Sequence, residues 1–144
     1  MELVDIPVVL AIQAASPEAA QWTAGDYERA CQGLMYGTVA EGRGVVGGFL
    51  VGRRVSEELE ILNLAVRREY RRQGIATELL ADTLESGRTW RAKKVFLEVR
   101  ESNASAIAFY SHYGFATTGR RPHYYRRPAE DALVLARPLF DEAA

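Results

Sequence analysis

The apolar run Ile61 to Val66 is broken only by Asn63. It leads through the loop "RREYRRQG" into a segment whose apolar residues, Ile75, Leu79, Leu80 and Leu84, recur at helical spacing. A second compact apolar stretch, "KVFLEVR", follows at residues 94–100. Strand, helix and strand in this order require a parallel pair joined by a right-handed crossover. A near-continuous apolar strand is one covered on both faces of its sheet. No other feature of the sequence limits the possible folds as much.

The rest of the chain is read around this unit. "DIPVVLAIQAA" predicts a helix with Asp5 as its cap and Pro7 in its first turn. Only residues 1–4 precede it, room for no more than a short strand. "WTAGDYERAC" predicts a second helix, capped by Thr23 with Asp26 three residues on. "GLMYGTVA" and "VVGGFLVGR" read as a hairpin turned at "EGRG", and "ELEILNLAV" as a third strand. "NASAIAFYSHYG" predicts a helix running from an Asn103 cap to Gly114. "FATTGR" and "EDALVLARP" predict two last strands, joined by a loop, "RPHYYRRPA". The expectation is a mixed α/β sheet, mostly antiparallel with one parallel pair, in a single domain over residues 1–144.

Composition narrows the function classes. The 18 basic and 19 acidic residues give a net charge of −1, so no basic surface points to nucleic acid as a main partner. No apolar run reaches the roughly 18 residues of a membrane-spanning helix. The N-terminus lacks the basic leader of a signal peptide. Cys31 is the only cysteine, which excludes an internal disulfide or a cysteine metal cluster and fits a cytoplasmic protein. His112 and His123 are isolated, and no metal-ligand set is visible.

The loop before the long helix carries the first chemical signal. Arg67, Arg68, Arg71 and Arg72 stand where the positive end of a helix dipole is expected, and Gly74 stands at the predicted first turn, where glycine is a poor helix former. A phosphate resolves both conflicts. It accepts from the unpaired N–H groups of a first turn, it draws charge-assisted hydrogen bonds from arginine, and it comes close where no Cβ intervenes. The same residues also describe a solvated arginine loop with Gly74 as an ordinary turn. A P-loop is excluded, because "RRQGIATE" lacks the Gly-Lys-Ser/Thr ending. A dinucleotide-binding loop lacks its earlier glycine.

These residues resemble the GNAT superfamily of N-acetyltransferases, whose Gln/Arg-x-x-Gly-x-Gly/Ala signature is matched by Arg71, Gly74 and Ala76. "LEVRESNASAIAFYSHYGF", "NLAV" and "RRPHYYRRPAEDALVL" are similar to segments of the bacterial ribosomal-protein alanine N-acetyltransferases, the RimI type. Trp22, Thr23 and Tyr27 resemble that subfamily's Trp-Ser/Thr-x-x-x-Phe element. The likeness is dense from about Glu58 to Pro138 and thin before it. Phe109 replaces the usual leucine, and Gln21 a frequent proline.

The resemblance implies the GNAT fold, with helices on both faces and the parallel pair splayed at an acetyl-coenzyme A site; its first strand is expected to be stunted here. It assigns the cosubstrate's pyrophosphate to Arg71, Arg72, Gln73, Gly74, Ile75, Ala76 and Thr77. The backbone of Leu64, Ala65 and Val66 is assigned to the pantetheine amide and thioester oxygen, and Asn103 and Tyr110 to the coenzyme A arm and thioester. An oxyanion donor of this kind is worth about 2.7–4 kcal/mol.

Acetyl transfer to an amine needs a neutral amine and a proton for the leaving thiolate. Glu98 is a carboxylate in the otherwise apolar "VFLEV", a costly place unless solvated or paired, and desolvation there would make it a better base. Asn103, Ala106 and Tyr110 share one helical face, from which the phenol can serve as the acid. The resemblance implies the same roles, general base for Glu98 and acid for Tyr110. The plainer alternatives are a surface-facing glutamate and a core tyrosine.

An α-amine, with a pKa of about 7.7–8.0, is roughly one-third neutral at pH 7.5, against about one-thousandth for lysine. One moderately placed base therefore suffices for a protein N-terminus. The resemblance sets Tyr124 and Tyr125 against the acceptor's first residues, with Asn63 also on the acceptor side; rings covering arginine stems is the alternative. The expected function is direct acetyl transfer from acetyl-coenzyme A to a protein N-terminal α-amine, a ribosomal protein's among the candidates. The alternatives are a small amine or lysine acceptor, or an acyl-coenzyme A-binding module without catalysis. No acetyl-cysteine step is expected, because Cys31 lies outside the motif region.

Overall fold

The parallel pair forms as the sequence predicts, and it is short. In the structure, a computed structural model describing residues 1–32, 35–126 and 128–140, β3 (Glu58–Val66) runs parallel to β4 (Lys94–Arg100), with α3 (Ile75–Thr89) as the crossover. Their pairing spans only Leu59–Ile61 against Val95–Leu97, and the strands then part. The other pairings are antiparallel. β1 (Met35–Gly42) and β2 (Val45–Val55) lie on one side, β6 (Ala129–Pro138) and β5 (Ala116–Arg126) on the other, in the order β1-β2-β3-β4-β6-β5. Arg43 and Gly44, both at positive φ, turn the first hairpin as a two-residue turn of the primed kind.

Helices cover both faces. α3 and α4 (Ala104–His112) pack against a cluster containing Leu50, Leu59, Ile61, Val95, Leu97 and Leu135. α1 (Ile6–Ala14) and α2 (Ala24–Ala30) pack on the other face, around Val9, Tyr27, Phe49 and Val51. Leu80 of α3 is 1% exposed, and its truncation to alanine would cost about 2–5 kcal/mol.

One extra residue in β3 decides which side chains reach which face. Gly52 pairs with Ile61 and Val51 with Asn63, so Leu62 is a bulge. Before it, Leu59 and Ile61 face α3; beyond it, Leu64 joins that cluster, while Asn63 and Ala65 turn toward α1 and α2. A slip of one residue exchanges the two faces of a strand.

Three expectations are corrected. Residues 3–5 form a 3-10 turn rather than a strand; Asp5 stands at the N-cap of α1 as expected, but its carboxylate accepts from the Glu2 N–H and makes no cap hydrogen bond to the helix. The predicted loop "RPHYYRRPA" is strand as far as Arg126. Pro122 to Tyr124 stand opposite the single residue Asp131, whose carboxylate accepts from the His123 N–H, so β5 bulges there without ending. Gly74 is not in the first turn of α3 but is its N-cap, at φ +81°. Gly33 and Leu34 of the expected first strand, and Arg127 of the tyrosine-rich segment, lie outside the described residues. Thr23 and Asp26 form the expected capping box, and Asn103 accepts from the Ala106 N–H.

Candidate active site

Where β3 and β4 part, two cavities open. The first, about 510 Å³, lies between the end of β3, the loop into α3 and the face of α4. Leu64, Ala65 and Val66 supply its strand wall, and Arg71, Arg72, Gly74, Ile75, Ala76 and Thr77 its loop and helix wall. Asn103 and Tyr110 close it from α4. Gln73 turns to another groove, and its side chain donates to the Glu69 carbonyl. Arg67 and Arg68 do not line this cavity.

The requirement for Gly74 is now physical. Its left-handed conformation disfavours other residues, and a Cβ built there would meet nothing within 4 Å. The space over the first turn of α3 is therefore open to a ligand. Arg72, also at positive φ, has no side-chain hydrogen bond or ion pair among the described residues. Arg71 is held in place, donating to the Val66 carbonyl and to Ser16 Oγ. An open helix N-terminus with an unengaged arginine fits a pyrophosphate.

The second cavity, about 640 Å³, lies toward α1 and α2 and is lined by Glu98, Asn63, Tyr124 and Tyr125. Leu64, Asn103, Ala106 and Tyr110 line both cavities, so the two meet at α4. Tyr110 is 5% exposed, packed edge-on against Phe109 and Phe115. Its hydroxyl has no hydrogen-bond partner among the described residues, and burial pushes its pKa up. Asn63 is buried, with its amide engaged by Ala20 and Tyr27.

Glu98 has a partner that the sequence did not announce. Arg121 of β5 reaches across β6 and donates from Nη1 to Glu98 Oε1 at 2.8 Å. The Arg121 guanidinium lies 4.3 Å from the centre of the Tyr124 ring, and Arg100 4.1 Å from that of Tyr125. The two tyrosine rings meet edge-on at 5.0 Å. The α1–α2 segment was also missed: Glu18 and Ala19 line both cavities. Only the resemblance at Trp22 pointed toward that segment.

Residues 9–115 match the acetyltransferase (GNAT) family. The Escherichia coli [ribosomal protein bS18]-alanine N-acetyltransferase is 35% identical over 98 residues, which is 67% of this chain and 66% of that protein's length. The solved structure of the Escherichia coli ribosomal-protein-S18-alanine N-acetyltransferase superposes with a TM-score of 0.85 at 27% identity, covering 100% of this chain and 95% of the other. Ard1 from Thermoplasma volcanium gives a TM-score of 0.85 at 32% identity, covering 98% and 95%.

Proposed function

We propose, from the premise that this chain belongs to the acetyltransferase (GNAT) family, that it transfers the acetyl group of acetyl-coenzyme A directly to the α-amine of a protein N-terminus. The observation that carries this reading is the meeting of two cavities at Tyr110. One ends at an open helix N-terminus beside Arg72, and the other holds Glu98 behind a pair of tyrosines. The likeness to a ribosomal-protein alanine N-acetyltransferase supports a ribosomal-protein N-terminus as the acceptor.

Arg72 and the N–H groups of Ile75, Ala76 and Thr77 would hold the pyrophosphate. Leu64 to Val66, freed from β4, would offer backbone groups to the pantetheine arm and the thioester oxygen. Acetyl-coenzyme A, when bound, supplies the activated acyl group. Glu98 takes up, through a water, the proton that the attacking amine loses. The Tyr110 hydroxyl donates its proton to the departing sulfur; burial keeps the phenol protonated at neutral pH. A carbon–nitrogen bond forms and a carbon–sulfur bond breaks, with one proton leaving nitrogen and one reaching sulfur. Cys31, at the end of α2, lines neither cavity, which supports direct transfer.

Release of coenzyme A tests the proposal. A peptide with a free N-terminal alanine is expected to drive release, while the same peptide with a blocked N-terminus is not. Release driven by polyamines and by no peptide would overturn it. Binding of coenzyme A without turnover of any amine would leave a binding module instead.

A further inference from the structure

Residues 15–23, between α1 and α2, form part of the wall of both cavities and have no regular secondary structure. Side-chain hydrogen bonds hold them. Asn63 Oδ1 accepts from the Ala20 N–H at 3.1 Å, and Asn63 Nδ2 donates to the Ala20 carbonyl at 3.0 Å. One side-chain amide thus engages a backbone residue on both its donor and its acceptor, as a neighbouring strand would. Asn63 Nδ2 also donates to the Tyr27 hydroxyl at 3.0 Å. That hydroxyl donates to Gln13 Oε1, and Gln13 Nε2 donates to the Trp22 carbonyl at 2.9 Å. At the near end of the segment, Ser16 donates to the Ile12 carbonyl and accepts from Arg71.

All three side chains of the network are buried: Asn63 is 5% exposed, Gln13 5% and Tyr27 0%. They belong to three different elements, and only the bulge at Leu62 turns Asn63 toward the other two. An apolar trio of similar volume could fill this core as well, since a buried hydrogen bond adds little net stability over the water contacts it replaces. What an apolar trio could not do is fix the backbone at Ala20 and Trp22, two residues of the cavity wall. A fully satisfied polar network specifies one geometry.

We propose that Asn63, Tyr27 and Gln13 form a clamp that sets the acceptor wall, with Asn63 a positioning residue whose amide is spent on holding the loop. The inference rests on the reading of the Glu98 cavity as the acceptor's. The two residues that the clamp holds, Ala20 and Trp22, line the acceptor cavity alone, whereas Ser16, which meets the cosubstrate cavity, is held separately by Ile12 and Arg71; loss of the clamp therefore weakens acceptor binding more than cosubstrate binding.

The test compares the wild-type protein with Asn63→Leu, which removes both bonds to Ala20 at similar volume. Tyr27→Phe, which keeps the ring packing against Phe49 and Trp22, serves if the first variant does not fold. Hydrogen exchange at the Ala20 amide, whose N–H donates to Asn63 Oδ1, is expected to accelerate by about tenfold or more, with β3 and α3 protected as before. The KM for a peptide with a free N-terminal alanine is expected to rise about tenfold, with the KM for acetyl-coenzyme A within about twofold. Unchanged exchange in this segment, or both KM values rising together, would overturn the clamp. If the wild-type protein acetylates no peptide, the proposed function fails, and exchange alone then decides the clamp.

Discussion

Glu98 and Tyr110 belong to opposite faces of the sheet and yet line the same cavity. Tyr110 is part of the cluster beneath α3 and α4, while Glu98 alternates with Leu97 and Val99 of that cluster and so points the other way. They share a cavity because β3 and β4 stop pairing after Ile61 and Leu97, which leaves an opening through the sheet. In the proposed mechanism, Glu98 as base on one face and Tyr110 as acid on the other would serve one reacting centre held in the opening.

Replacing Glu98 with glutamine keeps the shape and an acceptor for Arg121 but removes the base. Turnover of an N-terminal peptide is expected to fall by about 10²–10³, within the range for a lost general base. Arg121 is 55% exposed at its side chain, so solvent screens the ion pair and its loss should leave the melting temperature nearly unchanged. Steady-state kinetics beside a thermal melt checks both; a fully active Glu98→Gln protein would remove Glu98 from the mechanism.

Tyr110→Phe leaves the ring packing against Phe109 and Phe115 intact. Its hydroxyl has no partner to orphan among the described residues, so stability should change by less than about 1 kcal/mol. The rate constant for transfer should drop about a hundredfold, with acetyl-coenzyme A affinity unchanged. A variant equally fast in single turnover would assign the proton to another donor.

Gly74 can be probed for shape and ligand separately. Asparagine tolerates a left-handed backbone better than alanine does. Gly74→Ala should therefore lose about 1–2 kcal/mol of stability, and Gly74→Asn less. Both place a Cβ in the open space above α3, so both should weaken coenzyme A binding about tenfold or more. Calorimetry on a Gly74→Asn protein with wild-type affinity would return the glycine to a purely conformational role.

Burial pushes the Tyr27 phenol up to about 12, and those of Tyr36 and Tyr110 up as well. The folded protein thus holds these protons more tightly than the unfolded chain, where a phenol titrates near 10. Stability from this source is full below about pH 10 and is lost as pH rises through about 12. The melting temperature should fall over that interval, and less steeply in Tyr27→Phe. Ionisation of all seven tyrosines near pH 10 in a still-folded protein would contradict this.

The sequence made the central unit legible because its signals are local. β3 and β4 begin and end where they were expected, since each apolar stretch is bounded by charge. The loop before α3 was legible from its arginines and Gly74. Pairing was not legible. The bulge at Leu62 is one residue of ordinary composition, and it alone turns Asn63 toward Tyr27. The tyrosine-rich stretch looked like a loop because it carries proline and arginines; its pairing with β6 makes it strand around a bulge. Arg121 drew no attention among its neighbouring arginines, because its meaning depends on Glu98 lying two strands away.

The central claim is that the acceptor is an N-terminal α-amine. It is tested most directly by tandem mass spectrometry of a peptide that carries both a free N-terminal alanine and an internal lysine, incubated with the wild-type protein and acetyl-coenzyme A. The account predicts a single acetyl group on the α-amine. Acetylation of the lysine side chain with the N-terminus left free would contradict it.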